Sequence, residues 1–265
     1  MRPREWLTVV SILAAVLVTT PAVAQEDLQK NAAAELSTAV KAAPAPDVPP
    51  AWKGGAELAY IQTQGNTNTK SLTFGTKVER AFGFGKLTGE GSAIYGEKEK
   101  VVTDRAYTAR LRYDQNLTDR TSLFVSEGIE RNTFKGIDFR YTTLGGIAHT
   151  FIQTPNDLLK GDVGAGYMHE NQVKPQPARG HPTARVGAEY QHIFDPKNRF
   201  VQTAEYIPNL KQGDDFLFNE ESALITNLMG GFALKVSYAV FHDHDPPAGF
   251  KKTDALFKTA LLFTF

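Results

Sequence analysis

The stretch Thr253–Phe265, TDALFKTALLFTF, decides the reading of this chain. In an extended backbone successive side chains point to opposite sides. That alternation puts Ala255, Phe257, Thr259, Leu261, Phe263 and Phe265 on one face and Lys258 on the other. A soluble strand of this kind would bury its apolar face in a core. Here the same alternation recurs in long segments along the chain, too long for the ~5–6 residues usual in soluble sheets. A tilted strand crossing the hydrocarbon core of a bilayer needs about 9–11 residues plus flanks.

Working back from that strand, period-two segments end at turn signals near Trp52–Gln64, Lys70–Ala81, Lys86–Lys98, Asp104–Gln115, Thr121–Phe134 and Phe139–Gln153. They continue at Leu158–Asn171, His181–Phe194, Arg199–Asn209, Phe216–Leu228 and Phe232–Asp243. The connections alternate in character. FGFG (82–85), NLTD (116–119), TPND (154–157), DPKN (195–198) and MGG (229–231) are tight. EKEKVVT (97–103), VKPQPARG (173–180), KQGDD (211–215) and HDPPAGFKK (244–252) are longer and more charged, with NTNT (66–69) and KGID (135–138) as short members of the same set. Short turns at one end and longer loops at the other are the topology of an outer-membrane barrel. The fold class expected is therefore all-β: a transmembrane antiparallel up-and-down β-barrel of about twelve strands over residues 52–265. An even strand count brings both chain ends to the periplasmic side.

The faces sort accordingly. Phe232, Leu234, Val236, Tyr238 and Val240 share one side of their strand, as do Leu159, Val163, Ala165 and Tyr167, and Ala184, Val186, Ala188, Tyr190 and Phe194. Charges fall on the opposite side, Glu170 among them. Lipid cannot solvate charges, so these side chains are expected to face a lumen. The lumen set comprises Glu57, Glu90, Arg110, Arg112, Asp114, Asp162, Arg185, Glu189, Glu205, Lys235 and Lys258. The segments 121–134 and 139–153 do not sort, which implies a bulge or a mixed face. Aromatics gather at strand ends in two girdles. Phe82, Phe84, Phe151, Phe194, Phe200, Phe232 and Phe265 lie by the tight turns, and Phe134, Phe139, Tyr141, Tyr167, Phe216 and Phe241 by the longer loops.

The first residues read as a secretory leader over 1–24: Arg2 and Arg4, an apolar run from Trp6 to Val18, then Ala22-Val23-Ala24 for cleavage. The run is shorter than the ~20 apolar residues of a spanning helix. No Cys sits near the cleavage site to carry lipid. Residues 25–51 form a periplasmic linker, with Leu28, Ala32, Leu36 and Val40 at helical spacing and then the proline-rich AAPAPDVPP (42–50). The chain has no Cys, which suits a protein that crosses an oxidising compartment without disulfides. Basic and acidic residues are 29 each, and loss of the leader removes two basic residues and one acidic, leaving 27 against 28. That balance gives no basic surface for nucleic acid. The mean hydropathy of −0.30 fits strands that are apolar only on alternate positions.

The stretch Trp52–Leu72, WKGGAELAYIQTQGNTNTKSL, carries a Trp-led strand, small residues and Gly65-Asn66-Thr67-Asn68-Thr69 before a Ser-Leu strand. It resembles the YdiY-like salt-induced outer-membrane proteins, a family under a domain-of-unknown-function label, over about Trp52 to Phe265. The resemblance implies a barrel in the bacterial outer membrane. It brings no substrate and no site residues.

His242 and His244, in His242-Asp243-His244-Asp245, are the weak candidates for a metal site, because they point the same way in an extended chain. Pro246-Pro247 follow and no third ligand is identifiable, so a solvated loop is the expectation and no cofactor is called for. A barrel lipid hydrolase needs Ser, His and an orienting group together. His149, His169, His192 and His242 have no visible Ser partner, so an enzyme is not expected. Phe257, Leu261, Phe263 and Phe265 form the signal read by the barrel-assembly machinery, and the leader implies the Sec translocon. Outer-membrane lipid and lipopolysaccharide would surround a monomer. The balanced lumen charges fit a narrow or closed barrel that serves envelope integrity, the family resemblance implies a link to osmotic or salt stress, and a small-solute or ion channel is the alternative.

Overall fold

The computed structural model describes residues 52–64, 70–98, 101–173 and 175–265. The leader and linker lie outside the described residues. The strands are β1 (Trp52–Gln64), β2 (Lys70–Phe82), β3 (Gly85–Lys98), β4 (Val101–Asn116), β5 (Thr121–Asn132) and β6 (Ile137–Gln153), then β7 (Asp157–Gln172), β8 (Arg179–Ile193), β9 (Asn198–Pro208), β10 (Phe216–Asn227), β11 (Phe232–Asp243) and β12 (Thr253–Thr264). Each pairs antiparallel with its neighbours in the chain, and β12 returns to β1, so the sheet closes as a twelve-stranded barrel. Closure leaves no unpaired edge, which is what lets a sheet stand in hydrocarbon.

The seam runs from Gly55↔Thr264 to Gln64↔Ala255. Beyond it Gly54 and Phe265 exchange backbone hydrogen bonds of 3.0 and 2.9 Å, which extends the described ladder by one rung. A Cβ at Gly54 would lie 2.6 Å from the Phe265 ring, so glycine there is what admits the ring.

The tight turns follow their sequence chemistry. In Leu228-Met229-Gly230-Gly231 both glycines take positive φ, +67° and +80°, and reverse the chain in two residues. At the β8–β9 turn Asp195 Oδ1 accepts from the N–H groups of Lys197 (2.8 Å) and Asn198 (3.0 Å). The Asn198 side chain and then these backbone donors hold the Asp195 carboxyl below its ordinary range. At the other end, the expected EKEKVVT loop is shorter than the sequence implied. Strand pairing continues after a register shift through Glu97↔Val102 and Lys98↔Val101.

The outer face is apolar. Leu58, Leu111, Val125, Ile147, Val163, Val186, Leu224 and Leu261 are all exposed. A tyrosine belt (Tyr60, Tyr95, Tyr107, Tyr141, Tyr167, Tyr206, Tyr238) lies toward the loops, and Trp52, Phe84, Phe151, Phe194, Phe232, Phe263 and Phe265 lie by the tight turns. Phe241 departs from the expected girdle. It shares its face with Lys235 and Ala239 and packs inside against Ala59, Ala239, Leu256 and Ala260. Parity within β11 decides this, since Tyr238 points out. A second inward cluster, Ala223, Ile225 and Ala233 with Val201 and Leu262, fills the same side of the barrel.

The two strands that resisted sorting carry both irregularities that the pattern implied. Register shifts fall between Glu130 and Asn132, Ile137 and Phe139, and Thr150 and Ile152. Glu127 lies on the outer face of β5 between exposed Val125 and Ile129, where the Thr143 hydroxyl donates to it at 2.8 Å.

Candidate functional site: a charged lumen with a closed mouth

Alternation places one row of each strand inside the ring, and the inward charges meet in three tiers. Nearest the tight turns, on β2 and β3, Lys77 reaches Glu79 (3.4 Å) and Glu90 (3.2 Å), and Lys86 reaches Glu79 (3.6 Å). Lys160 and Glu189, directly paired between β7 and β8, belong to the same level.

The middle tier has two parts. On one side Lys235 and Lys258 share Glu57 and Glu221 in a closed square: 3.4 and 2.9 Å from Lys235, 3.0 and 3.2 Å from Lys258. On the other, Arg185 holds Asp162 directly and Glu205 at 3.1 Å. Arg110 on β4 reaches Glu205 on β9 at 3.7 Å, and Arg112 reaches Asp162 on β7 at 3.9 Å. These last two pairs join strands that are not neighbours, so they bridge the lumen. Arg112 also grips Asp114 at 2.8 Å and lies 3.9 Å from the centre of the Phe124 ring, which fixes its guanidinium plane.

The third tier lies at the loop end. Arg140 on β6 contacts Glu170 on β7, Glu130 on β5 (3.1 Å) and Asp243 on β11 (3.5 Å). Arg179 binds Glu170 (3.0 Å) and Asp245 (3.2 Å), and its Nη1 also donates to the Asp245 carbonyl at 3.1 Å. Lys135, in the 3-10 turn Thr133–Lys135 between β5 and β6, approaches Asp254 (3.9 Å) and sits 4.3 Å from the centre of the Phe241 ring. In a ring of twelve, the β5–β6 and β11–β12 connections are half a turn apart. They nevertheless touch. The space beside the Gly136 Cα is filled by Pro247 and Phe250, 2.7 and 2.8 Å from where a Cβ would stand. The β11–β12 loop therefore lies across the mouth.

Water access is uneven along the lumen. The Lys77 and Glu90 side chains are 53% and 41% exposed, and Arg110 at mid-depth is still 46% exposed. At the loop end Arg140 retains 7% and Glu170 1%. The lumen is thus open to solvent from the tight-turn side, while at the loop side the Arg140–Glu170 pair is dry and Arg179 and Asp245 keep 26% and 53% side-chain exposure.

The eleven charges expected inside from the sequence are brought onto these tiers, ten of them in direct ion pairs and Glu189 beside Lys160. Sequence reasoning missed Lys77, Glu79, Arg140, Arg179, Glu221 and Asp243. It also missed Glu220, which lies outside on β10 and accepts from Gln202 at 3.0 Å. Glu220-Glu221 carried a usable signal, because two adjacent strand residues must point to opposite sides. His242 and His244 do come together, with ring centres 5.9 Å apart, both packed on Phe216. His242 Nδ1 lies 2.8 Å from the Thr253 hydroxyl. Among the described residues no group of three or more His, Cys, Asp or Glu could hold a metal ion. His149 pairs with Thr121 and His192 with Asp157, each 2.8–2.9 Å apart, and neither meets a serine.

A closed antiparallel barrel with an apolar exterior and a charged interior defines the class, and comparison with solved structures agrees. The NanC porin superposes with a TM-score of 0.55 at 9% identity, over 79% of this chain and 100% of the porin. Within that class, residues 56–265 match the family described as "Protein of unknown function, DUF481", and the chain belongs to it. The uncharacterized protein YdiY of Escherichia coli (strain K12) is 26% identical over 201 residues, 74% of this chain and 76% of YdiY.

Proposed function

We propose that this protein is an integral barrel of the bacterial outer membrane, closed at its outward mouth by its own ion pairs and loop, that serves envelope integrity under osmotic or salt stress rather than steady solute uptake. The observation that carries this reading is the cluster around buried Arg140, which ties β5, β6, β7 and β11 together across the opening. Paired charges inside a low-dielectric mouth rigidify a barrel and exclude passing ions. The apolar exterior between two aromatic belts suits lipid and lipopolysaccharide on all sides, as a monomer. The leader expected at 1–24 would deliver the chain through the Sec translocon.

In planar bilayers the purified protein is expected to show no steady ohmic step above leak. A stable open current would end the closed-barrel reading. A narrow small-solute channel is the second reading, favoured by the solvent exposure of Arg110 at mid-depth.

Assembly supplies a separate prediction. Deleting Phe265 removes both hydrogen bonds of this added seam rung and the ring over Gly54. The yield of heat-modifiable, folded barrel in the outer-membrane fraction is expected to fall several-fold. An unchanged yield would show that the machinery reads β12 without its terminal ring.

A further inference from the structure

We infer that the β11–β12 loop, His244–Lys252, is a latch whose release converts the closed barrel into a conduit. The inference rests on the closed-barrel reading above and goes beyond it by assigning the closure to one movable element. Beside the anchor of His244 on Phe216, where the His244 N–H donates to the Phe216 carbonyl at 2.9 Å, three contacts carry the loop across the mouth. At its entry Asp243 reaches across the lumen to Arg140 at 3.5 Å. One turn on, Asp245 takes Arg179 through both its carboxylate (3.2 Å) and its carbonyl oxygen (3.1 Å). At its far point Pro247 and Phe250 rest on Gly136, on the opposite rim. Gly136 has φ +78°, a conformation that glycine adopts freely, and its missing side chain leaves the seat for the two rings.

The division of labour among these residues makes the loop the weak member of the closure. Arg140 and Glu170 are buried and belong to paired strands, so they stay with the wall. The Asp245 side chain is 53% exposed, and its partner Arg179 is the first residue of β8. An exposed charge pair contributes little by itself, so the loop is held by a few modest contacts that can be lost together. Behind it stands the wetter lumen, whose middle tier leaves Arg110 accessible. Lifting the loop removes Asp245, Pro247 and Phe250 from the mouth, frees Asp243 at the end of β11 from holding it, and leaves the remaining pairs on the wall.

Single-channel recording tests this with three variants of the full chain: Asp243→Asn, Asp245→Asn, and a version lacking residues 246–250. Heat-modifiable mobility shows which of them fold. Asp243→Asn is expected to raise the open fraction roughly tenfold over wild type, the change that ~1.4 kcal/mol makes in a two-state equilibrium, and Asp245→Asn, which removes an exposed pair, about two- to three-fold. The shortened loop is expected to leave the barrel open most of the time. Folded variants as silent as the wild type would overturn the latch while leaving the closed barrel standing. A wild type as open as the shortened variant would overturn both.

Discussion

Replacing Arg140 with alanine is expected to cost about 3–5 kcal/mol of barrel stability, the usual penalty for leaving buried charges without their partner. Arg140 serves three carboxylates, Glu130, Glu170 and Asp243. Of these Glu170 is 1% exposed and would keep only Arg179 and the Gln172 side-chain amide as partners. Urea titration of the detergent-solubilised protein, followed by loss of heat-modifiable mobility, measures the effect. Arg140→Lys should recover only part of it, because one ammonium cannot present a planar fork to carboxylates on β5, β7 and β11 at once. A midpoint unchanged in Arg140→Ala would show that the mouth cluster contributes nothing to holding the ring together.

The second large effect is expected from a residue with no charge at all. Gly166 on β7 faces inward beside Leu144 of β6, where an added Cβ would run into the Thr143 carbonyl oxygen and lie 2.9 Å from the Leu144 Cα. Its neighbour Gly146 is as confined, 2.6 Å from the Gly164 Cα by the same measure. The obstacles are backbone atoms in a paired ladder, so no rotamer change relieves them. Gly166→Val should cost about 3 kcal/mol or more by overpacking. It would appear as a chain that is made and exported but stays heat-unmodifiable. A folded Gly166→Val barrel of wild-type stability would mean that β6 and β7 can part without loss.

The wall of the barrel was legible from sequence to within a few residues, and the reason is local. β1 and β11 end where alternation and turn residues place them, at Trp52–Gln64 and Phe232–Asp243. Turn chemistry such as Gly230-Gly231 and Asp195-Pro196 needs no knowledge of the rest of the chain. The inward charges were legible for the same reason, since parity is a property of one strand. Their partners were not. Arg110 meets Glu205, and Arg140 meets Asp243, only after the ring has closed with its stagger between strands. No spacing in the sequence encodes that distance. Phe241 was misplaced by position along the strand where parity should have governed. Glu127 hid because its strand carries a polar residue on the face where the pattern demands an apolar one.

The burial of the Arg140–Glu170 pair beside a wetter lumen also has an electrical consequence. Where water and mobile ions enter, an applied potential is nearly level, and the drop concentrates over the dry stretch that remains. That stretch is the mouth around Arg140 and Glu170, against which the partly exposed Asp243 carboxylate rests. Charges there feel most of the field, worth about 2.3 kcal/mol per unit charge per 100 mV across the full drop. The two polarities are therefore not equivalent for the closure, whose Asp243 is drawn away from Arg140 by one sign of voltage and pressed onto it by the other. The same short dry layer is where a membrane potential would act on the barrel.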